Sequence, residues 1–208
     1  MNLILKRRID IFGACTALLA TAPVMVLAAI GILVTMGRPV LFRQERPGLG
    51  DKIFTVFKFR TMHDSCDHEG RLLPDEKRIT PLGRLLRRLS MDELPQLLNV
   101  LRGEMSLVGP RPLWPRYLPY YTEREHLRHS VKPGITGWAQ INGRNNRSWN
   151  ERLALDVWYV DHQSLVLDLR ILFLTFIRVL QGRDVDPDPR KNPLPLDEER
   201  KRSATPPL

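Results

Sequence analysis

Between Ile11 and Met36 the chain carries no charged side chain, a run of 26 positions. A helix needs roughly 20 apolar residues to cross a bilayer core, so this run predicts a membrane helix. Lys6, Arg7 and Arg8 precede it and Asp10 interrupts its start. That acid, and a length beyond the roughly 7–15 residues of a secretory signal's apolar core, argue against a cleaved leader. Pro23 lies near the middle, where proline removes a backbone donor and bends a helix. Each half would reach roughly 18–20 Å, about one leaflet. Basic residues flank both ends, with Arg38, Arg43 and Arg46 following, whereas a spanning helix concentrates Lys and Arg on one side. The pattern therefore fits two topologies equally: a re-entrant helix that dips in, breaks at Pro23 and returns to the same face, or a single span kinked at Pro23.

Beyond this segment the periodicity shortens. Val40, Phe42, Phe54, Val56 and Phe57 predict short strands around a Pro47-Gly48-Leu49-Gly50-Asp51 turn. Residues 63–77 are polar and read as a loop, in which His63 and His68 are solvated rather than metal-bound. Thr80-Pro81 signals a helix start carrying Leu82, Leu85, Leu86 and Leu89. Ser90-Met91-Asp92-Glu93 and Ser148-Trp149-Asn150-Glu151 both match the S-x-x-E capping box. The first should open a helix ending near Gly103, with Pro95 in its first turn. Residues 106–120 and 131–147 read as irregular. Leu165–Leu180 is a strongly apolar helix whose Asp168, Arg170 and Arg178 suit an interfacial or core position better than a span. From Asp184 onward Pro and charge dominate, predicting a disordered tail.

Composition narrows the partners. The 208 residues carry 32 Lys+Arg against 23 Asp+Glu, a net charge of +9. Such charge seeks an anion: nucleic acid, anionic lipid or a phosphorylated substrate. Hydrophobic residues at 43% support a packed core. Two cysteines, Cys15 and Cys66, exclude a disulfide framework and lack zinc-site spacing. Neither a P-loop, a dinucleotide fingerprint nor a G-x-S-x-G elbow is present.

Adjacent carboxylates at Asp92-Glu93 most often serve only to complement a helix dipole. Here Arg84, Arg87 and Arg88 precede them, and Arg102 and Arg111 follow. Arginines around paired acids suggest phosphates bridged by a divalent ion, since Mg²⁺ is held by one or two carboxylates plus substrate oxygens. A carboxylate is also a competent nucleophile in phosphoryl transfer. A membrane-tethered nucleic-acid-binding protein is the rival reading, with Trp138 and Trp149 as stacking partners, but aromatic residues do not interleave with a basic stripe. Trp114, Trp138, Trp149 and Trp158, and His126, His129 and His162, read as packing or surface residues, and Asp156 and Tyr159 as structural hydrogen-bonding groups.

Six motifs occur in order: Lys6-Arg7-Arg8-Ile9-Asp10, Phe42-Arg43-Gln44-Glu45-Arg46-Pro47-Gly48, Phe57-Lys58-Phe59-Arg60-Thr61-Met62, Asp92-Glu93-Leu94-Pro95-Gln96-Leu97, Met105 through Pro112 with its Gly-Pro-Arg-Pro core, and Pro133-Gly134-Ile135-Thr136-Gly137-Trp138. Together they resemble the bacterial sugar transferases, the monotopic phosphoglycosyl transferases, in a minimal form. The resemblance implies an α+β, mainly helical fold: a re-entrant membrane helix over 1–38, a cytosolic catalytic domain over 39–182 with short strands and interfacial helices, and a tail over 183–208. It implies an Mg²⁺-dependent enzyme on the cytoplasmic face of the bacterial inner membrane. This enzyme moves a sugar-1-phosphate from a UDP-sugar to undecaprenyl phosphate and releases UMP, early in surface polysaccharide assembly. Membrane lipids would be partners, nucleic acid would not, and a homodimer is compatible. By motif match Asp92 would be the nucleophile, Glu93 an Mg²⁺ ligand, and Arg111 a phosphate contact, with Lys58 and Arg60 as further charge partners. The family's membrane helix breaks at a Ser-Pro pair; this chain has Ala22-Pro23, which keeps the proline and loses the hydroxyl. A non-catalytic scaffold of the same fold is the remaining alternative, and the intact Asp92-Glu93 pair speaks against it.

Overall fold

The computed structural model describes residues 2–143, 147–181 and 194–204. It is mainly helical, with a few short strands. Helix α1 (Leu3–Met36) opens with the Asn2 side chain accepting from the Ile4 and Leu5 amides and closes at Gly37, whose φ of 70° is left-handed. Pro23 lies inside this one helix.

Where α1 touches the rest of the protein follows a helical stripe. Lys6, Asp10, Ala14, Ala28, Ile32 and Met36 are buried, and Thr21 and Met25 between them are half-buried. Steps of three and four place all of them on one face. Ala14 joins Val56, Leu97, Val100 and Met105 in one core cluster, while Ala28, Ile32 and Met36 join Phe59 and Leu86 in another. On the opposite face Phe12, Leu19, Leu27 and Val34 are all more than two-thirds exposed. The helix thus packs on the domain through both of its ends, with a wide apolar face left uncovered. Its length and apolarity suffice to cross a membrane, and so much bare apolar surface marks membrane association.

Strands β1 (Leu41–Pro47) and β2 (Ile53–Phe59) form an antiparallel hairpin with Gln44 opposite Val56. Its turn needs left-handed backbone at Gly50 and Asp51, φ 58° and 62°. Helix α2 (Pro81–Arg88) begins as its sequence predicts, the Thr80 hydroxyl accepting from Gly83 N–H. A 3-10 helix over Met91–Gln96 then leads into α3 (Leu97–Arg102), which stops at the left-handed Gly103.

The first predicted capping box does not form. Ser90 adopts φ 53° and makes no side-chain cap, and the Glu93 side chain turns away from it. The second does form: Ser148 and Glu151 cap α4 (Trp149–Asp161) reciprocally. Within the stretches that read as irregular, β3 (Ser106–Val108) and β4 (Gly134–Thr136) pair in parallel. These strands are three residues long, too short to show a period.

Helix α5 (Leu165–Gln181) buries Leu167 and Ile171 and exposes Val166, Leu169, Phe173 and Phe176. Its Asp168 is explained by packing: Lys6 Nζ lies 2.6 Å from one carboxylate oxygen and Tyr159 Oη donates to the other at 2.7 Å. The expected disorder of the tail does not hold for residues 194–204. Helix α6 (Leu196–Ala204) seats fully buried Leu196 against Tyr117, Trp149 and Leu153. The Trp149 indole donates to Leu194 O at 2.7 Å, and Arg200 pairs with Glu125 at 2.6 Å. The rest of the predicted tail, 183–193 and 205–208, falls outside the described residues.

Candidate active site

Asp92 and Glu93 sit in the 3-10 helix, both about nine-tenths buried. Pro95 cannot donate to the turn before it, which suits the tighter 3-10 winding over a six-residue stretch. Three elements then converge on Glu93. Lys58, on β2, places Nζ 2.8 Å from Oε1. Arg111, in the loop after β3, forks onto the carboxylate with Nη2–Oε1 at 2.5 Å and Nη1–Oε2 at 3.1 Å. This bidentate, charge-assisted geometry fixes both partners.

Asp92 differs from its neighbour. Among the described residues no hydrogen bond ends on its carboxylate. Burial, the largest influence, pushes its pKa up, and the Glu93 charge pushes the same way, while Lys58, Arg87 and Arg111 pull it down. Arg87 is held in place by donating from Nε to the Thr61 hydroxyl at 3.0 Å. Burial lowers the Lys58 pKa against the pull of Glu93, and Glu93 raises that of Arg111. Two adjacent carboxylates in one site therefore play unlike parts: one is clamped by Lys58 and Arg111, and the other, among the described residues, takes no hydrogen bond.

The sequence-predicted residues do not all meet. Lys58, Asp92, Glu93 and Arg111 come together. Arg60 does not join them: its guanidinium donates to Met36 O at 3.4 Å, Arg38 O at 3.2 Å and Met62 O at 3.2 Å, and pairs with Asp64 at 2.6 Å. Lys58 and Arg60 share a strand face, but the carboxyl end of α1 takes the arginine. Pro23 lies in α1 and is not among the side chains that converge on Glu93.

Arg46, which the sequence places in a motif without a role in the site, is the residue that sequence reasoning missed. Its guanidinium stacks 4.0 Å over Trp114. Burial first, then the charge of Arg111, lower its pKa to about 10. A guanidinium destabilised by a second guanidinium indicates cationic crowding that an anion would relieve. No spacing rule points to Arg46, because Trp114 and Arg111, which act on it, are distant in the sequence.

Among the described residues, two places offer metal ligands. Asp92 and Glu93 supply hard carboxylate oxygens, the donor type a divalent cation such as Mg²⁺ takes, and the Asp92 carboxylate takes no hydrogen bond among the described residues. The second group is Asp51, His126 and His129, whose ligand atoms lie within 4.8 Å of one another. His126 Nε2 is 2.8 Å from Asp51 Oδ2, and His129 Nδ1 is 2.6 Å from Oδ1. Arg128 Nη1 faces His129 Nε2 at 3.2 Å. Arginine only donates, so Nε2 accepts and the ring proton resides on Nδ1, where a metal would have to bind. This cluster is thus a packed polar contact between the hairpin turn and the 127–130 segment. His63 and His68 are exposed and outside it.

The packing residues fall where their types suggest. Trp149 packs edge-on to Tyr117. Trp138 stacks on Trp158, and Trp158 on His162. Asp156 pairs with Arg128 at 2.8 Å, and the Tyr159 hydroxyl, which donates to Asp168, lies 3.2 Å from Val108 O.

Comparison with known proteins adds the following. The family pattern described as bacterial sugar transferase matches residues 1–182. A Bacillus subtilis protein named as an uncharacterized sugar transferase, EpsL, is 57% identical over 183 residues, covering 88% of this chain and 91% of that protein. The UDP-glucose:undecaprenyl-phosphate glucose-1-phosphate transferase of Xanthomonas campestris is 44% identical over 80% of this chain. An Aeromonas hydrophila protein named for N-acetylgalactosamine phosphotransfer to undecaprenyl phosphate is 37% identical over 86% of this chain. Of these last two, the chain spans 37% and 44% of their own lengths.

Proposed function

Because this chain belongs to the bacterial sugar transferase family, we propose that it transfers a sugar-1-phosphate from a UDP-sugar to undecaprenyl phosphate, through a covalent phosphosugar–Asp92 intermediate. The observation that carries this reading is the asymmetry of the two buried carboxylates. Glu93 is locked by Lys58 and Arg111, whereas Asp92 takes no hydrogen bond from the described residues and stands among cations.

In the first step an Asp92 oxygen attacks the phosphorus that bears the sugar. A carboxylate–phosphorus bond forms, the bridging oxygen bond to UMP breaks, and UMP leaves with that electron pair. In the second step an oxygen of undecaprenyl phosphate attacks the same phosphorus, and the Asp92 carboxylate is regenerated as leaving group. Splitting the transfer lets one site serve two large substrates in turn. Arg111, Arg46 and Lys58 bind the phosphate oxygens, where crowded positive charge gains most from an anion. Mg²⁺, held by Glu93 beside Asp92, would neutralise the diphosphate and stabilise the departing UMP.

The acceptor is a lipid, and the architecture suits a membrane surface. Both ends of α1 are tied to one domain: Lys6 and Asp10 near its start to Asp168 and Ser106, Met36 at its end against the Phe59 and Leu86 cluster. A helix whose two ends both pack on one body favours the re-entrant topology, with both ends on the same face. We place that face on the cytoplasmic side of the inner membrane, where nucleotide sugars are made. The exposed row of α5 would rest in the interfacial layer.

The test is UMP release by purified protein with Mg²⁺ and a polyprenyl phosphate, across a panel of UDP-sugars beginning with UDP-glucose and UDP-N-acetylgalactosamine. UMP formed with at least one donor, following ping-pong kinetics, supports the reading. Release that requires both substrates bound at once contradicts the covalent route.

A further inference from the structure

Arg111 lies in a loop poor in backbone donors. Pro110 and Pro112 flank it and have no N–H. Gly109 N–H donates to Thr136 O at 2.9 Å, and Pro110 O accepts from Gly134 N–H at 3.0 Å. Those two bonds tie the loop's entry to β4. Beyond them the Arg111 carbonyl is taken by a side chain, the Nη2 of Arg128 at 2.5 Å.

Arg128 is 1% exposed and uses its whole fork. Nε and Nη2 reach Asp156 Oδ2 at 3.1 and 2.8 Å, and Nη1 reaches the Tyr121 hydroxyl at 3.4 Å and His129 Nε2 at 3.2 Å. Burying a guanidinium is costly unless its donors are met. Here α4, through Asp156, supplies the counter-charge. His129 in turn contacts Asp51 in the β1–β2 turn, so one buried cation joins α4, the hairpin turn and the loop that presents Arg111.

We propose that Arg128 is a positioning residue for this reaction: by holding the Arg111 carbonyl it sets the direction of the guanidinium that clamps Glu93 and meets substrate phosphate. This rests on the proposed phosphoglycosyl transfer only for the identity of the anion. Arg128 itself touches neither carboxylate, and it acts through Arg111.

The test is a double-mutant cycle on the full chain with Arg128→Lys, Arg111→Lys and both together. The kcat/KM for UMP release and the affinity for inorganic pyrophosphate with Mg²⁺ are both measured. Arg128→Lys keeps the charge and loses the fork, so we expect kcat/KM to fall about 10–100-fold, the usual cost of misplacing a catalytic-site group by about 1 Å. The double variant should be no worse than Arg111→Lys within about twofold, because the second change removes what the first already lost. Multiplied losses, or Arg128→Lys within about twofold of wild type, would overturn the proposal. Should Arg128→Lys fail to fold, Asp156→Asn weakens the same clamp at its other end and is judged by the same cycle. Wild-type protein that releases no UMP while its pyrophosphate cycle still shows coupling would sink the transfer reading and leave this one standing.

Discussion

Asp92 is placed at odds with the stability of its own fold. Folding raises its pKa, so its protonated form is favoured in the native state. That contribution is full below the unfolded value of about 3.9 and is lost as pH rises through the folded value. At neutral pH the ionised carboxylate therefore opposes folding. Asp92→Asn should abolish UMP release and raise the Tm by about 1–4 °C in a thermal melt. A variant that loses activity and also melts several degrees lower would indicate a structural role. The same shift has a kinetic face. In the proposed covalent route only the ionised acid would attack, so kcat/KM should rise with pH through a midpoint above about 3.9. A midpoint at or below that value would contradict the burial of the nucleophile.

What the sequence revealed at this scale was chemistry, not geometry. The Asp92-Glu93 pair and Arg111 stand out because paired acids among arginines are unusual for a plain dipole complement. Arg60 shares a motif with Lys58, yet its side chain goes to α1 because the carbonyls of Met36 and Arg38 lie within reach. Arg46 and Arg128 escaped notice because their partners, Trp114 and the Arg111 carbonyl, lie 68 and 17 positions away. Local spacing carries no trace of such contacts.

At the scale of elements, strong local signals were realised where nothing competed. Thr80-Pro81 and Ser148 to Glu151 cap their helices as read. Ser90 to Glu93 carries the same motif, but Glu93 finds two cations across the site, and a charge-assisted clamp outcompetes a cap bond. The parallel β3–β4 pair was hidden by its shortness, and its tight approach rests on glycine. A Cβ at Gly109 would come within 2.3 Å of Lys132 O and 2.9 Å of Gly134 N. Gly109→Ala should cost about 1–3 kcal/mol in denaturant unfolding and misplace Arg111. Unchanged stability would mean that the pair is not closely packed. Helix α6 was hidden by its composition, since one anchor, Leu196, seats an otherwise charged segment. For α5, a spin label at Phe173→Cys in a Cys-free background should be more accessible to oxygen than to a water-soluble relaxant in vesicles. The reverse ranking would take α5 off the membrane.

At the scale of the molecule, hydropathy alone left the topology of α1 undecided. The packing stripe from Lys6 to Met36 supplies what hydropathy lacks, namely contacts to one domain at both ends. The proposed re-entrant arrangement predicts that cysteines introduced at Asn2 and Gly37 label from the same side of sealed vesicles. Opposite-side labelling would require a span. In that proposed arrangement the site would lie at the headgroup boundary, open to a soluble nucleotide donor from one side and a lipid phosphate from the other. The net charge of +9 would draw both anions toward it.

The central claim is the covalent bond to Asp92, and it can be read directly. The protein is incubated with Mg²⁺ and a radiolabelled UDP-sugar that it accepts, without lipid, then quenched and digested with trypsin. Label and added sugar-phosphate mass are expected on the peptide spanning 89–102, at Asp92, released by hydroxylamine and by added undecaprenyl phosphate. Turnover-competent protein that carries no label on that peptide, or carries it on another residue, would contradict it.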